Sequence, residues 1–247
     1  MKTFLLCPGL ERAGTSWLYN YLKNNKLINF GDIKEYHYFD SLYLDFANHY
    51  KKLNIKHDIF YKFYDNDINY YKYFNTILND YNITGDFSPG YSALDQNILL
   101  DIKNSFNKLQ INTKIIFLIR NPVSRHISAT NMRVNRDHLF LSDEEYNKIL
   151  VENINDKTFM VNKNFIEDIQ KFKNIFNDNL LVIKYENLFT NKSIIQICDF
   201  LNIDYIDRNF NQKINESKQN NIIYERSFNF LNNHYKNEIN FYNNYYS

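Results

Sequence analysis

The chain has 247 residues, with 29 Lys and Arg against 28 Asp and Glu, a formal net charge of +1, and 44% hydrophobic residues. That apolar content excludes wholesale disorder, and the near-neutral balance argues against a protein that grips nucleic acid by bulk phosphate neutralisation, though a local basic cleft remains compatible with it. Only 5 Gly and 3 Pro are present, which excludes collagen-like and Pro-rich classes, and the 2 Cys, Cys7 and Cys198, cannot supply a disulfide framework or a zinc cluster.

Thr3 to Cys7 reads as a short buried strand, too short for a signal-peptide core and stopped by Pro8-Gly9. No apolar stretch approaches the roughly 20 residues that cross a bilayer. The expectation is therefore a soluble, cytoplasmic protein with no membrane span. A helix follows from about Thr15 to Asn24, with Trp17, Leu18, Tyr21 and Leu22 on one face. Gly31 to Asp40 reads as a loop dense in polar and aromatic groups. Helical patterns come next around Ser41 to Leu53 and Asn69 to Tyr81, and Ile83 to Phe87 is a second strand ended by Ser88-Pro89-Gly90.

A helix from Leu94 to Leu109 leads to the clearest strand, Thr113 to Ile119, a run without alternation that fits a parallel strand covered on both faces. Asn121-Pro122 starts a helix. Further helices are expected at Asp143 to Asn153, Asn162 to Phe176 and Ser193 to Leu201, with a strand at Leu180 to Ile183. Glu186 is expected to cap the helix after that strand. Strands separated by helices predict an α/β fold with a doubly wound, mostly parallel sheet, and the absence of linker composition or repeats predicts one domain over residues 1–247. Beyond Asp204 the pattern weakens, leaving a docked helix or a frayed tail. The 21 Tyr, the 21 Phe and the abundant Asn are interleaved with periodic apolar residues, as in a folded chain rather than a prion-like tract.

The residues that carry chemistry begin at Gly9-Leu10-Glu11-Arg12-Ala13-Gly14-Thr15-Ser16-Trp17. A glycine-bearing turn between a buried strand and a helix offers backbone N–H groups and a positive helix end to an anion. The Gly spacing is that of an ATP-type P-loop, but the Lys that should follow the second Gly is missing. A cation stands instead at Arg12. This arrangement resembles the 5′-phosphosulfate loop of the sulfotransferases that use 3′-phosphoadenosine 5′-phosphosulfate (PAPS).

A second motif is Arg120-Asn121-Pro122-Val123-Ser124-Arg125-His126-Ile127-Ser128. Arg120 stands at the carboxyl end of a predicted parallel strand, where open α/β sheets bind ligands, and Ser128 falls two helical turns later. An Arg fork plus a hydroxyl suits a phosphate monoester, and the pattern resembles the family's 3′-phosphate motif. Lys34-Glu35-Tyr36-His37-Tyr38-Phe39-Asp40 resembles the Lys-Glu-x-His loop of the carbohydrate (heparan-type) sulfotransferases, in which the Glu is the catalytic base. In cytosolic members a His is the base, so Glu35 and His37 compete for that role. Gly85-Asp86-Phe87-Ser88-Pro89-Gly90-Tyr91 resembles a turn of the carbohydrate and bacterial branch, with Phe87 where several members have Lys; it either closes the cleft or touches substrate. Leu181 to Leu188 resembles the family's Tyr-Glu-Asp-Leu strand end, which makes Tyr185 an adenine contact, while Asn215-Glu216-Ser217-Lys218 is a loose match to a further 3′-phosphate loop.

The resemblance implies a P-loop-like sulfotransferase architecture and transfer of a sulfuryl group from PAPS to a hydroxyl or amine, with a carbohydrate or glycoconjugate as acceptor. It implies Glu35, Arg12, Lys34 and His37 as catalytic residues. Arg12, Ala13, Gly14, Thr15, Ser16, Trp17, Arg120, Ser128 and Tyr185 would hold the donor and its 3′,5′-bisphosphate product (PAP), with no metal and no nucleic-acid partner. A P-loop kinase and a non-catalytic nucleotide-binding relative are the alternatives; the acceptor and the oligomeric state are not identified.

Overall fold

The computed structural model describes residues 1–44, 63, 69–156, 164–205, 207 and 221–245. Four strands form one parallel sheet in the order β2-β1-β3-β4: β1 Thr3–Leu6, β2 Ile83–Asp86, β3 Asn112–Ile119 and β4 Leu180–Lys184. Each lies within a residue or two of its expected position, because a strand covered on both faces must be apolar throughout. All four residues of β1 are buried, as are Ile115 to Ile119 of β3.

The helices, in chain order, are α1 Thr15–Leu22, α2 Tyr38–Tyr43, α3 Tyr70–Ile77, α4 Gln96–Lys108, α5 Pro122–Arg136, α6 Asp143–Glu152, α7 Phe165–Phe176, α8 Asn191–Leu201, α9 Glu225–His234 and α10 Lys236–Asn244. Helix α2 begins three residues inside the segment expected to be loop. Of the helix expected from Ser41 to Leu53, residues 45–53 lie outside the described residues. The segment beyond Asp204 is not a frayed tail where it is described: α9 and α10 dock on the body. Leu231 and Tyr235 join a cluster with Val123, Val134, Tyr146 and Leu150, and Phe241 meets Phe165 edge-on. Among the described residues, no helix is long and apolar enough to cross a membrane.

Two local features place the chain ends of the strands. Strand order reverses around β1: the chain steps from β1 to β2 on one side, then crosses to β3 on the other. That is a topological switch point, and in open α/β sheets the ligand crevice lies outside the carboxyl ends of such strands, here β1 and β3. Gly9 lets the turn after β1 lie flat on β3, since a Cβ there would come within 2.7 Å of the Leu118 amide nitrogen. Leu10 N–H then donates to Leu118 C=O at 3.1 Å.

Five of the described tyrosines are structural. Tyr36, Tyr70, Tyr91, Tyr146 and Tyr235 are fully buried, and each hydroxyl has a polar partner, which is the condition for burying it cheaply. Tyr235 OH donates to His126 Nδ1 at 2.9 Å while His126 Nε2 donates to Leu150 C=O at 2.7 Å. Burial lowers the His126 pKa to about 4, so this ring is a neutral clasp between α5, α6 and the α9–α10 junction.

Candidate active site

Helix α1 has no side-chain cap: Gly14 precedes it with φ 97, and no acidic residue occupies its first turn. Its first N–H groups therefore lack an intrahelical acceptor, just after the carboxyl end of β1. Arg12 also has a left-handed backbone, φ 64, a conformation a non-glycine residue adopts only under constraint. Its carbonyl supplies part of that constraint by accepting from Arg120 Nη1 at 3.0 Å.

The side chains of the two anion motifs converge. Arg12 Nε donates to Ser128 Oγ at 3.0 Å, and Arg12 Nη1 reaches Met132 Sδ at 3.6 Å. The Arg120 guanidinium lies 4.3 Å from the Tyr185 ring centroid, and Tyr185 packs beside Gly14 and edge-on to Phe189. Arg120 Nε is buried with no hydrogen-bond partner among the described residues. Burial lowers the Arg12 pKa; nearby Glu11 opposes that, and Arg120 adds to it. Two guanidiniums thus crowd one uncapped helix start, an arrangement that a bound dianion would relieve. Ala13 and Trp17 are buried, Trp17 stacking on Tyr21 and meeting Phe189 edge-on.

The third motif arrives from the β2 side. Lys34 Nζ donates to Ser16 Oγ at 2.9 Å and reaches Thr15 Oγ1 at 3.5 Å, so a third cation borders this helix start. Lys34 also pairs with Glu35 Oε1. Glu35 Oε2 lies 3.1 Å from His37 Nε2, and Asp40 Oδ2 lies 2.7 Å from His37 Nδ1. His37 is thus clamped between two carboxylates. Burial disfavours its charged form, but the bonds to Asp40 and Glu35 outweigh burial and raise its pKa to about 10. Burial likewise favours a neutral Glu35, yet the His37 bond and the Lys34 charge lower it to about 2. Both shifts favour an imidazolium beside a carboxylate. The Glu35 side chain keeps 33% of its surface accessible, while those of His37 and Asp40 keep 5% and 0%.

Asp40 was absent from the expected site, although its spacing from His37 was a usable signal: a helix-start residue and an acid three positions later face each other. Phe87 does not face the crevice; it is fully buried against Phe30 and Tyr19. Its turn supports the Lys34–Asp40 loop, with Phe87 N–H donating to Lys34 C=O at 3.1 Å. Glu186 does not cap α8. Thr190 does, its Oγ1 accepting from Ser193 N–H at 3.3 Å, because the cap must immediately precede the helix; Glu186 accepts from Tyr242 OH on α10 instead. The Lys213–Lys218 stretch lies outside the described residues. Among the described residues, no three or more His, Cys, Asp and Glu side chains form a metal-holding group.

A parallel sheet with a switch point at β1 and a glycine-bearing turn that opens a helix is an α/β fold of the P-loop-like kind. The sulfotransferase domain model matches residues 3–243, and the chain belongs to that family. Solved structures share the fold. A sulfotransferase from Alicyclobacillus acidocaldarius superposes with a TM-score of 0.60 at 18% identity, covering 87% of each chain. The sulfotransferase domain of the Synechococcus PCC 7002 olefin synthase gives 0.53 at 17%, covering 83% of this chain and 76% of that one. The sulfotransferase domain from the curacin biosynthetic pathway gives 0.50 at 14%, with the same coverages. No curated protein matches the sequence.

Proposed function

We propose that this sulfotransferase takes its sulfuryl group from PAPS and passes it to an alcohol acceptor, with a carbohydrate or glycoconjugate hydroxyl as the acceptor class. The observation that carries the donor assignment is the convergence of Arg12, Arg120 and Ser128 on the uncapped start of α1, with Arg120 Nε buried and unpartnered among the described residues. The residues present fit a bisphosphate nucleotide. The N–H groups of Gly14, Thr15 and Ser16, with Arg12 and Lys34, would receive the 5′-phosphate; Arg120 and Ser128 the 3′-phosphate; Tyr185 the adenine. The donor supplies a sulfuryl group on a good phosphate leaving oxygen.

What the chain adds is positioning and charge. Arg12 is placed to stabilise charge growing on the leaving oxygen, and Lys34 links that end of the site to Glu35. Glu35, ionised and accessible, is the base for the acceptor proton, while His37, already protonated, orients it. The supporting experiment is transfer of labelled sulfate from PAPS to a panel of sugar, lipid and phenol acceptors. Labelled product with a sugar alone or best supports the reading; preference for a phenol would move the acceptor class, and no turnover with any acceptor would favour a nucleotide-binding relative without catalysis.

A further inference from the structure

Asp86, at the carboxyl end of β2, is fully buried and cannot reach a substrate. Its two oxygens nevertheless take five hydrogen bonds. Oδ1 accepts from Tyr36 N–H at 3.3 Å, Ser88 N–H at 3.0 Å and Ser88 Oγ at 2.6 Å. Oδ2 accepts from Tyr70 OH at 2.8 Å and Tyr91 OH at 2.9 Å.

The direction of two of these bonds is forced. Ser88 Oγ accepts His37 N–H at 2.8 Å, and Tyr91 OH accepts the N–H groups of Tyr38 at 3.0 Å and Phe39 at 3.3 Å. A hydroxyl has one proton, and here the nearest acceptor for each is Asp86. The four consecutive N–H groups from Tyr36 to Phe39 therefore all end on one carboxylate, directly or through one hydroxyl. They belong to the residues that carry the left-handed turn at His37, φ 48, which sets its ring between Glu35 and Asp40. Burial pushes the Asp86 pKa up, and the donors from Ser88, Tyr70, Tyr91 and Tyr36 oppose it.

We infer that Asp86 is a positioning residue for transfer: with Ser88 and Tyr91 as relays, it fixes the backbone that clamps His37 against Glu35. The inference rests on the reading of Glu35 and His37 as the proton-handling pair.

Tyr91→Phe and Ser88→Ala each delete one relay while leaving the carboxylate in place, so they remain informative where Asp86→Asn fails to fold. The measurement is NMR titration of the His37 ring, assigned against His37→Ala, alongside calorimetric binding of adenosine 3′,5′-bisphosphate. The wild-type ring should stay protonated well into the alkaline range. In either relay variant the midpoint should fall by about one unit or more, a tenfold change in the ring's proton affinity, with bisphosphate affinity kept within about twofold. A His37 midpoint unmoved in both variants overturns the inference, and so does a shift accompanied by loss of bisphosphate binding, which would mean general collapse. The titration involves no acceptor. Full transfer by Glu35→Gln would therefore remove the base reading without altering this result.

Discussion

Arg12 Nε donates to Ser128 Oγ across 3.0 Å, joining the loop that leaves β1 to the helix that follows β3. Because Ser128 Oγ accepts that bond, its own proton is available to an anion beside Arg120, while Arg12 stays aimed along the start of α1. The two arginines are therefore expected to separate in their effects. Arg12→Ala should lower the transfer rate by about 10²–10³, the usual cost of removing a donor to a developing oxyanion. Arg120→Ala should chiefly weaken donor binding, since a 3′-phosphate does not react. Single-turnover rates and product affinity on both variants decide it: an Arg12 variant with normal turnover and poor binding would reverse the assignment.

Adenosine 3′,5′-bisphosphate should raise the melting temperature, because a ligand that binds only the folded state stabilises it by mass action, about 2.7 kcal/mol at a hundredfold excess over Kd. AMP at the same concentration should do much less, having no 3′-phosphate for Arg120 and Ser128. Equal shifts with the two nucleotides would remove Arg120 as a 3′-phosphate reader.

The parts of this molecule legible in the sequence are those whose physics is local. Lys114 to Ile119 announces a parallel strand because both faces must be covered, and Arg120 is then automatically at a strand end, in the crevice. The helix from Pro122 carries Ser128 to the same place by its pitch alone. What was not legible depends on contacts between distant segments. Asp86 and Tyr91 stand about fifty residues from the amides they hold, so the sequence shows only a turn. The proposed choice between Glu35 and His37 rests on Asp40, whose carboxylate favours the charged form of the ring between them. Glu186 reads as a cap but meets Tyr242 of α10, a helix the sequence left undecided.

The His37 clamp has a pH signature. The His37 pKa is raised from 6.5 to about 10, so the stability its pairing contributes is complete below pH 6.5 and is lost as pH rises through about 10. The Glu35 pKa is lowered from 4.5 to about 2, so its contribution is present above pH 4.5 and lost as pH falls through about 2. Denaturant titrations of wild type and His37→Asn should therefore show a stability gap that is constant between those windows and narrows on the alkaline side. The transfer rate should likewise show no inflection near 6.5. A rate profile that rises through that pH as an ordinary imidazole deprotonates would make His37 the base.

Replacing the proposed base separates Glu35 from His37. Glu35→Gln keeps the shape of the side chain and an oxygen within reach of His37 but cannot take a proton, so transfer to a sugar hydroxyl should fall by about 10²–10⁴, the usual worth of a general base. Bisphosphate binding should survive, because the contacts of Arg12, Arg120 and Ser128 do not pass through Glu35. His37→Ala should be milder, since it removes the group that orients Glu35 rather than the acceptor of the proton. A phenol, with a pKa near about 10, gives up its proton far more readily than a sugar hydroxyl and should depend less on the base. The measurement is a pair of rate constants, sugar and phenol, for each variant. Glu35→Gln should lose more on the sugar than on the phenol, with His37→Ala showing the smaller loss on both. If Glu35→Gln instead keeps nearly the full rate on its best acceptor and His37→Ala is inactive, the proton goes to His37, and the carbohydrate-type reading of the Lys34–Asp40 loop goes with it.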